Sequence, residues 1–211
     1  DVLGVRPELL TGEEEAEASY RGATAGLDPT EGPFVVIDIG GGSTEFAFGG
    51  TRLEASVSVD MGCVRMTERH VRHDPPTADD FDAIVLDVDA AIALAAQEVP
   101  LDRARTLVGL AGSVTTAAAL ALRLPAYDAA VIHGSRIAAA DVARVSDELL
   151  AMDHGARADL AVMHPGRVDV INAGVLVLRR ILDATGLPEV LVSEHDILDG
   201  IAWSLAAPAA P

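Results

Sequence analysis

Lysine is absent from the sequence, and all fifteen of its basic residues are arginine. They are outnumbered by 33 acidic residues, so the formal net charge is −18. A protein that binds nucleic acid over a broad surface needs an excess of basic residues, so we expect no nucleic-acid partner. A polyanionic ligand would require a local pocket that concentrates hydrogen-bond donors or a metal ion. The lack of lysine itself is typical of a coding bias.

Cysteine is nearly absent, and long apolar runs are lacking. Cys63 is the one cysteine of the chain, so no intramolecular disulfide is expected, which fits a reducing, cytoplasmic location. We interpret it as a small buried side chain. No apolar run approaches the roughly 20 residues that span a bilayer, so we expect no membrane partner. Residues 1–10 show no basic start followed by an apolar segment, so no secretory signal is expected.

Hydrophobic residues make up half of the 211-residue chain. That content excludes a disordered acidic tail. It suits one medium domain with a full core, or one domain and part of another.

The hydrophobic pattern predicts a β-meander followed by alternating helices and strands. A continuous apolar run at 34–39 predicts a buried strand. Alternating residues at 43–48 and 51–60 predict two more strands, with Gly49 and Gly50 as a two-residue hairpin. We further predict a strand end at 8–10, strands at 105–110 and 189–193, and helices at 13–25, 62–70, 79–97, 111–122, 137–151, 170–182 and 197–205. This order is that of a ribonuclease H-like α/β domain with a mixed sheet.

The segment from Asp38 to Glu45 carries the strongest chemical signal. An acid at the end of a buried strand is costly unless it is paired or binds metal, and Glu45 lies near Asp38 across the hairpin. Three glycines and two hydroxyl residues lie between these acids: Gly40, Gly41, Gly42, Ser43 and Thr44. The glycine N–H groups can approach an anion closely, and the hydroxyl groups are further donors. We favour a phosphate cradle with a hard cation such as Mg²⁺ over a glycine-rich hairpin with a solvated acid.

Two further segments carry weaker signals. The stretch from Gly109 to Thr115 runs from strand to helix, so a helix N-terminus there can meet an anion. Close packing of the helix on the strand explains its small residues equally well. Glu13, Glu14 and Glu15 form a charge run, which is usually a solvated helix start, and periodicity does not identify which of them faces a site. The histidines lack metal-ligand spacing.

Six segments occur in the order found in one known family: LLTGEEEA, VVIDIGGGSTEFAFG, VDMGCVRMTERH, VGLAGSVTTAAAL, HPGRVDVINAG and LVSEHDILDGIA. Through them the sequence resembles the exopolyphosphatase/guanosine pentaphosphate phosphohydrolase (Ppx/GppA) family over nearly its whole length, and most of all its actinobacterial branch. The resemblance implies a lobe of the actin–hexokinase–Hsp70 superfamily. It also implies hydrolysis of the terminal phosphoryl group of inorganic polyphosphate or pppGpp, assisted by Mg²⁺.

The resemblance also implies roles for individual residues. Glu15 matches the proposed general base, and Asp38 and Glu45 match positions that orient metal or water. The second phosphate loop of the family matches residues 40–44, and the loop containing Gly112 matches a region that lies near adenosine in kinase relatives. Phosphate contacts are accordingly expected from Gly40, Gly41, Gly42, Ser43, Thr44, Arg65, Gly112, Ser113 and Arg167. No role is transferred to residues 197–200, where many members carry Leu-Arg-Glu-Gly.

The sequence departs from the family because it contains no first phosphate loop of the type D-x-G-S/T-N-S. We therefore expect residues 1–26 to be a remnant of the N-terminal lobe with its connecting helix, 27–206 the C-terminal lobe, and 207–211 a frayed tail. The site of family members lies between two lobes, so we expect this chain to fold but to have weak or no hydrolase activity alone. Leu9, Leu10 and the first helix would lack a packing partner, which favours a homodimer.

Two other functions remain open at this stage. The absence of the first phosphate loop favours a non-catalytic phosphate-binding or regulatory module, whereas the retention of Glu15, Asp38 and Glu45 counts against it. A relative of sugar or acetate kinases would instead phosphorylate a small acceptor with ATP, and the glycine block fits that class less well. Electrostatics do not separate polyphosphate from pppGpp, because both are polyanions.

Overall fold

A six-stranded mixed sheet organises the fold in a computed structural model that describes residues 11–206. Its strands are β1 (Phe34–Ile39), β2 (Thr44–Gly49), β3 (Leu53–Val59), β4 (Thr106–Leu110), β5 (Arg136–Ala138) and β6 (Glu189–Val192). They lie in the order β3-β2-β1-β4-β6-β5. The meander β1–β3 and the final pair β5–β6 are antiparallel, whereas β1, β4 and β6 are parallel. The predicted α/β class and ribonuclease H-like order are confirmed.

Helices cover both faces of this sheet. They are α1 (Gly12–Thr24), α2 (Cys63–His70), α3 (Ala78–Glu98), α4 (Ala111–Ala121), α5 (Ala129–Ile132), α6 (Ala139–Leu150), α7 (His154–Ala158), α8 (Ile171–Thr185) and α9 (Ile197–Ala206), with 3₁₀ turns at Pro29–Glu31, Leu101–Arg103 and Pro165–Arg167. Within residues 11–206, none of the helices has both the length and the hydropathy needed to cross a bilayer.

Local signals explain where several of these helices begin and end. Thr77 caps α3 in a capping box with Asp80, and this arrangement satisfies two backbone N–H groups that would otherwise lack partners. At the other end of the chain, Gly186 takes a left-handed conformation (φ 67°) and closes α8, as glycine commonly does.

Three sequence predictions differ from the structure. The hairpin between β2 and β3 is longer than two residues, because Gly49 is still paired with Leu53 beside a register shift. Ile137 lies in β5 and not in a helix, since α6 begins at Ala139. The short elements α5, β5 and α7 were not predicted, because three to five residues are too few to establish a period. The predicted strand end at 8–10, including Leu9 and Leu10, and the tail at 207–211 lie outside the described residues.

The core is divided between the two faces of the sheet. Along β1, Val35, Ile37 and Ile39 pack into the larger cluster with the helices α3, α4, α6 and α8. Phe34 and Val36 point the other way, into a smaller cluster that includes residues of α1. Because side chains alternate along a strand, Asp38 shares the α1 face with these two residues.

Glycines bring α1 and α9 into backbone contact. A Cβ atom added to Gly22 would meet the carbonyl group of Asp196, and one added to Gly200 would meet the carbonyl group of Ala18. Gly22 and Gly200 are both buried. This contact fixes α1, and with it the glutamates of its first turn, against the chain segment that follows β6.

The end of α4 supports a stability prediction. Arg123 is exposed, has φ 54° and follows the last helical turn, where Leu124 N–H donates to Ala119 O at 3.0 Å and Arg123 N–H to Leu120 O at 3.0 Å. This is a Schellman motif with arginine where glycine is favoured. Arg123→Gly is expected to raise stability by about 0.5–1 kcal/mol, because the left-handed backbone costs a residue with a Cβ about 1–2 kcal/mol. Urea unfolding measures this gain, and Arg123→Ala, which retains the Cβ, is expected to show none.

Candidate active site

The acidic side chains at the β1–β2 turn face α1. Asp38 is directly opposite Glu45 in the antiparallel pairing of β1 and β2, so both carboxylates lie on the same side of the sheet. They line a cavity of about 510 Å³ together with Glu13 and Glu15 from the first turns of α1. The structure therefore brings together the three predicted acids Glu15, Asp38 and Glu45.

The pKa of Asp38 is raised from its ordinary value of 3.8 to about 6. Burial is the largest cause, followed by the negative charges of Glu45, Asp196 and Glu15. Within residues 11–206, no hydrogen-bond donor reaches the Asp38 carboxylate that would offset these effects. Asp196, in the loop between β6 and α9, was not identified from the sequence, because no local pattern connects it with Asp38.

The three glutamates at the start of α1, Glu13, Glu14 and Glu15, have different surroundings. Glu14 closes a capping box with Thr11: its Oε2 accepts the Thr11 N–H at 2.8 Å, and its own N–H donates to Thr11 Oγ1 at 3.3 Å. The bonds that the Thr11 N–H and the Thr11 hydroxyl donate to the Glu14 carboxylate lower the pKa of Glu14. Glu13 and Glu15 line the cavity instead. The spacing Thr11-x-x-Glu14 is a recognisable capping-box signal that would have assigned Glu14 from the sequence.

The glycine turn after β1 uses its carbonyl groups to hold α2. Gly40 O accepts the Cys63 N–H at 3.0 Å, and Gly41 O accepts those of Val64 at 2.9 Å and Arg65 at 3.0 Å. Gly40 N–H donates to Ser43 O at 3.0 Å and is thus engaged within the turn. In the described part of the chain, the N–H groups of Gly41 and Gly42 have no acceptor. These two exposed glycines therefore remain available as donors to an anion.

The two hydroxyl residues of the turn face different partners. Ser43 Oγ donates to Glu45 Oε1 at 2.6 Å. Thr44 is fully buried, and its hydroxyl donates to the Met61 carbonyl oxygen. Ser43 is thus bonded to Glu45, which lines the cavity, whereas the Thr44 hydroxyl anchors the segment before α2 and is not available to a phosphate.

Arg65 supports the turn and lies beside it. Its Nε donates to Gly42 O at 2.6 Å, and its guanidinium group pairs with Asp60 at 3.1 Å. A second, open cavity of about 620 Å³ is lined by Gly41, Gly42, Arg65 and Arg69 on this side of the turn. Arg65 is therefore close to the free N–H groups but already holds a backbone oxygen and a carboxylate.

The predicted strand-to-helix loop is a direct junction, because α4 begins at Ala111 immediately after β4 and contains Gly112 and Ser113. Arg167 packs against Gly112, where a Cβ would meet its guanidinium group, and donates to Thr116 Oγ1 at 3.1 Å. Ser113 is buried and packs towards the position of Gly174 on α8. The structure thus brings Gly112 and Arg167 together, whereas the Ser113 hydroxyl points into the helix packing.

The carboxylates are the groups that would hold a metal ion. Among residues 11–206, no group of three or more His, Cys, Asp or Glu side chains has an arrangement that could hold a metal by itself. Mg²⁺ is commonly bound by one or two carboxylates, with waters and substrate phosphates completing its shell. Asp38 and Glu45 fit that mode, since Asp38 lacks a donor and a cation would relieve the repulsion that raises its pKa.

Comparisons with known proteins show the family to which the chain belongs. The model of the Ppx/GppA phosphatase family matches residues 1–207. Exopolyphosphatase 2 of Mycobacterium tuberculosis is 49% identical over 98% of this chain and 67% of its own length. A guanosine-5′-triphosphate,3′-diphosphate pyrophosphatase of Photobacterium profundum is 35% identical over 54% of this chain and 23% of its own length. The crystal structure of an exopolyphosphatase-like protein superimposes with a TM-score of 0.91 at 39% identity, covering 97% of this chain and 69% of that one.

Proposed function

Because the chain belongs to the Ppx/GppA phosphatase family, we propose that it hydrolyses the terminal phosphoryl group of a polyphosphorylated substrate with the help of Mg²⁺. Members of the family are enzymes that act on phosphoric anhydride bonds. The observation that carries the proposal is the position of Glu15 on α1, across the cavity from the paired Asp38 and Glu45. This arrangement combines a free carboxylate base with a cation-binding pair, and anion donors lie in the adjoining turn.

In the proposed reaction, a water oxygen attacks the terminal phosphorus. The bridging P–O bond breaks, and its electron pair goes to the departing oxygen of the shortened substrate. Glu15 accepts the proton of the attacking water, as a general base positioned by α1. The N–H groups of Gly41 and Gly42 bind phosphoryl oxygens. The products are orthophosphate and a substrate shorter by one phosphate.

Asp38 and Glu45 would hold Mg²⁺ in this scheme. When bound, the ion supplies neutralisation of the charge on the transferring phosphoryl group. A cation is needed here because a protein of net charge −18 otherwise repels a polyanion. Arg65 lies beside the glycine turn, and Arg167 lies beside Gly112 at the start of α4. There they would contact phosphates further along the substrate.

Inorganic polyphosphate is the first substrate to test. The relative with 49% identity over 98% of this chain is named an exopolyphosphatase. The pyrophosphatase of guanosine-5′-triphosphate,3′-diphosphate matches over 54% of the chain, so pppGpp is the second substrate. We also propose that these 211 residues release phosphate more slowly than a relative carrying the first phosphate loop, since the sequence contains no loop of that type.

The deciding experiment is Mg²⁺-dependent phosphate release from long-chain polyphosphate by the parent chain and by Glu15→Gln. Removal of the base is expected to lower the rate at least about 100-fold, since general bases contribute about 10²–10⁴-fold. Glu17→Gln is the matched control, because Glu17 lies on the same helix and pairs with Arg21 at 3.5 Å. Release that persists in Glu15→Gln would overturn the assigned base.

A non-catalytic polyphosphate-binding module is the second candidate, because the N–H groups of Gly41 and Gly42 would bind phosphate without a general base. This function predicts that neither parent nor Glu15→Gln releases phosphate and that both bind polyphosphate equally well in equilibrium dialysis. Phosphate release that depends on Glu15 would exclude it, since binding alone needs no base.

A further inference from the structure

A row of polar side chains crosses the first three strands at the site. The register pairs Asp38 of β1 with Glu45 of β2, and Glu45 with Ser58 of β3. Side chains of directly paired residues lie on the same face of a sheet. Ser58 is therefore the outermost member of the row, on the edge strand, and it is exposed.

One carboxylate oxygen of Glu45 accepts two hydroxyl hydrogen bonds. Ser43 Oγ donates to Glu45 Oε1 at 2.6 Å, and Ser58 Oγ donates to the same oxygen at 2.7 Å. Between residues 11 and 206, no donor bonds to Oε2. The two serines thus fix the carboxylate through one oxygen and leave the other free to bind a cation.

We propose that Ser58 is a positioning residue that holds Glu45 in place when a phosphoryl group occupies the glycine turn. A serine hydroxyl has one proton to donate. If Ser43, which lies in the turn, donates that proton to a phosphoryl oxygen, its bond to Glu45 is lost. Ser58 is held by the backbone of β3 and keeps its bond, so Glu45 retains its orientation. This role rests on the proposed function of the site.

The position of Ser58 separates this role from a structural one. An exposed side chain on an edge strand buries little apolar area, so its removal is expected to leave the thermal midpoint unchanged. Groups that orient a metal ligand through a hydrogen bond typically change metal affinity or activity about 10–100-fold when they are removed. The chain offers a matched control in Ser56, an exposed serine two residues earlier on β3 with no side-chain hydrogen bond in the described residues.

The first test is Mn²⁺ binding to the full chain, measured by electron paramagnetic resonance without substrate. Because Ser43 still holds Glu45 in the free site, Ser58→Ala alone is expected to weaken Mn²⁺ binding less than about 3-fold. Ser43→Ala with Ser58→Ala is expected to weaken it at least about 10-fold. Ser58→Thr keeps a hydroxyl and is expected to bind as the parent does. A double variant with parent affinity would overturn the proposal.

The second test adds substrate. With polyphosphate and Mg²⁺, Ser58→Ala is expected to lower kcat about 10-fold with KM changed less than 2-fold, while Ser58→Thr and Ser56→Ala keep the parent kcat. An unchanged kcat in Ser58→Ala, or an equal loss in Ser58→Thr, would overturn the proposed role.

If the parent releases no phosphate, the proposed function fails. The crystal structure of Ser58→Ala with bound tripolyphosphate then decides: a turned Glu45 side chain supports the role, and an unmoved one overturns it.

Discussion

Asp38→Asn is expected to stabilise the folded chain at pH 8 while abolishing its response to Mg²⁺. Asp38 is held among three other carboxylates, and its pKa is raised from 3.8 to about 6. Its ionisation therefore opposes folding. A shift of this size corresponds to about 3 kcal/mol at about 1.4 kcal/mol per pKa unit. Asparagine carries no charge and nearly the same shape, so the variant avoids that cost.

The pH dependence of this effect has a definite sign. Well below pH 3.8, Asp38 is protonated in both folded and unfolded chains, so parent and variant are expected to be equally stable. Between about pH 4 and 6 the folded parent binds the extra proton and loses stability as the pH rises. Well above pH 6, where Asp38 is ionised in both states, the difference reaches its full value of about 3 kcal/mol.

Urea unfolding at several pH values, with and without Mg²⁺, measures these differences. Mg²⁺ is expected to stabilise the parent at pH 8 and not Asp38→Asn, because a ligand of the folded state alone stabilises it. Asp102→Asn is the control: Asp102 is exposed and forms no ion pair in the described part of the chain. A stability difference that is the same at pH 4 and pH 8 would contradict the assigned cause.

Arg157→Ala is expected to destabilise the fold by about 2–6 kcal/mol, from the loss of two hydrogen bonds to backbone carbonyls at about 1–3 kcal/mol each. Arg157 is 4% exposed. Its guanidinium group donates to Val168 O at 2.9 Å and Met152 O at 2.6 Å and pairs with Asp74 at 2.9 Å. Alanine leaves the two backbone carbonyls without these donors, and each unsatisfied buried acceptor costs about 1–3 kcal/mol. Asp74 contributes little to this loss, because it is exposed and still accepts the His154 N–H at 2.7 Å.

The control for this effect is an arginine at the surface. Arg144 on α6 bonds with Asp141 and Glu148 on its own helix, at 3.2 and 2.9 Å. Its replacement by alanine is expected to cost less than about 1 kcal/mol, since exposed ion pairs contribute little. Urea unfolding that shows equal losses for Arg157→Ala and Arg144→Ala would mean that the buried arginine has no special structural role.

The local pattern of the sequence was sufficient to place most elements. The apolar run of β1, the alternation in β2 and β3, and the helical periods of α3 and α8 appear where they were predicted, because backbone periodicity and burial of one face act within a few residues. The local pattern did not predict β5. This strand has three residues, and its apolar Ile137 fits a helical pattern equally well.

The chemistry of the site was determined only in part by the sequence. Residues 38–45 are adjacent in the chain, so the sequence alone shows an acid, a glycine turn and a second acid in close succession. These residues and Glu15 belong to the segments through which the sequence resembles the family. That Glu15 and not Glu14 faces the cavity follows from a capping box and from the packing of α1 on α9.

The tertiary structure alone decided which distant groups meet. Asp196 lies near Asp38 because it follows β6, which is parallel to β4 as β4 is to β1, so the carboxyl ends of these strands share one edge of the sheet. Ser58 reaches Glu45 because the register of β3 places them opposite each other. Thr44 was predicted to bind phosphate, but the pairing of the strands places its hydroxyl against the Met61 carbonyl oxygen, to which it donates. The physical reason is that local conformation depends on neighbours in the chain, whereas strand register and helix packing follow from the burial of the whole core.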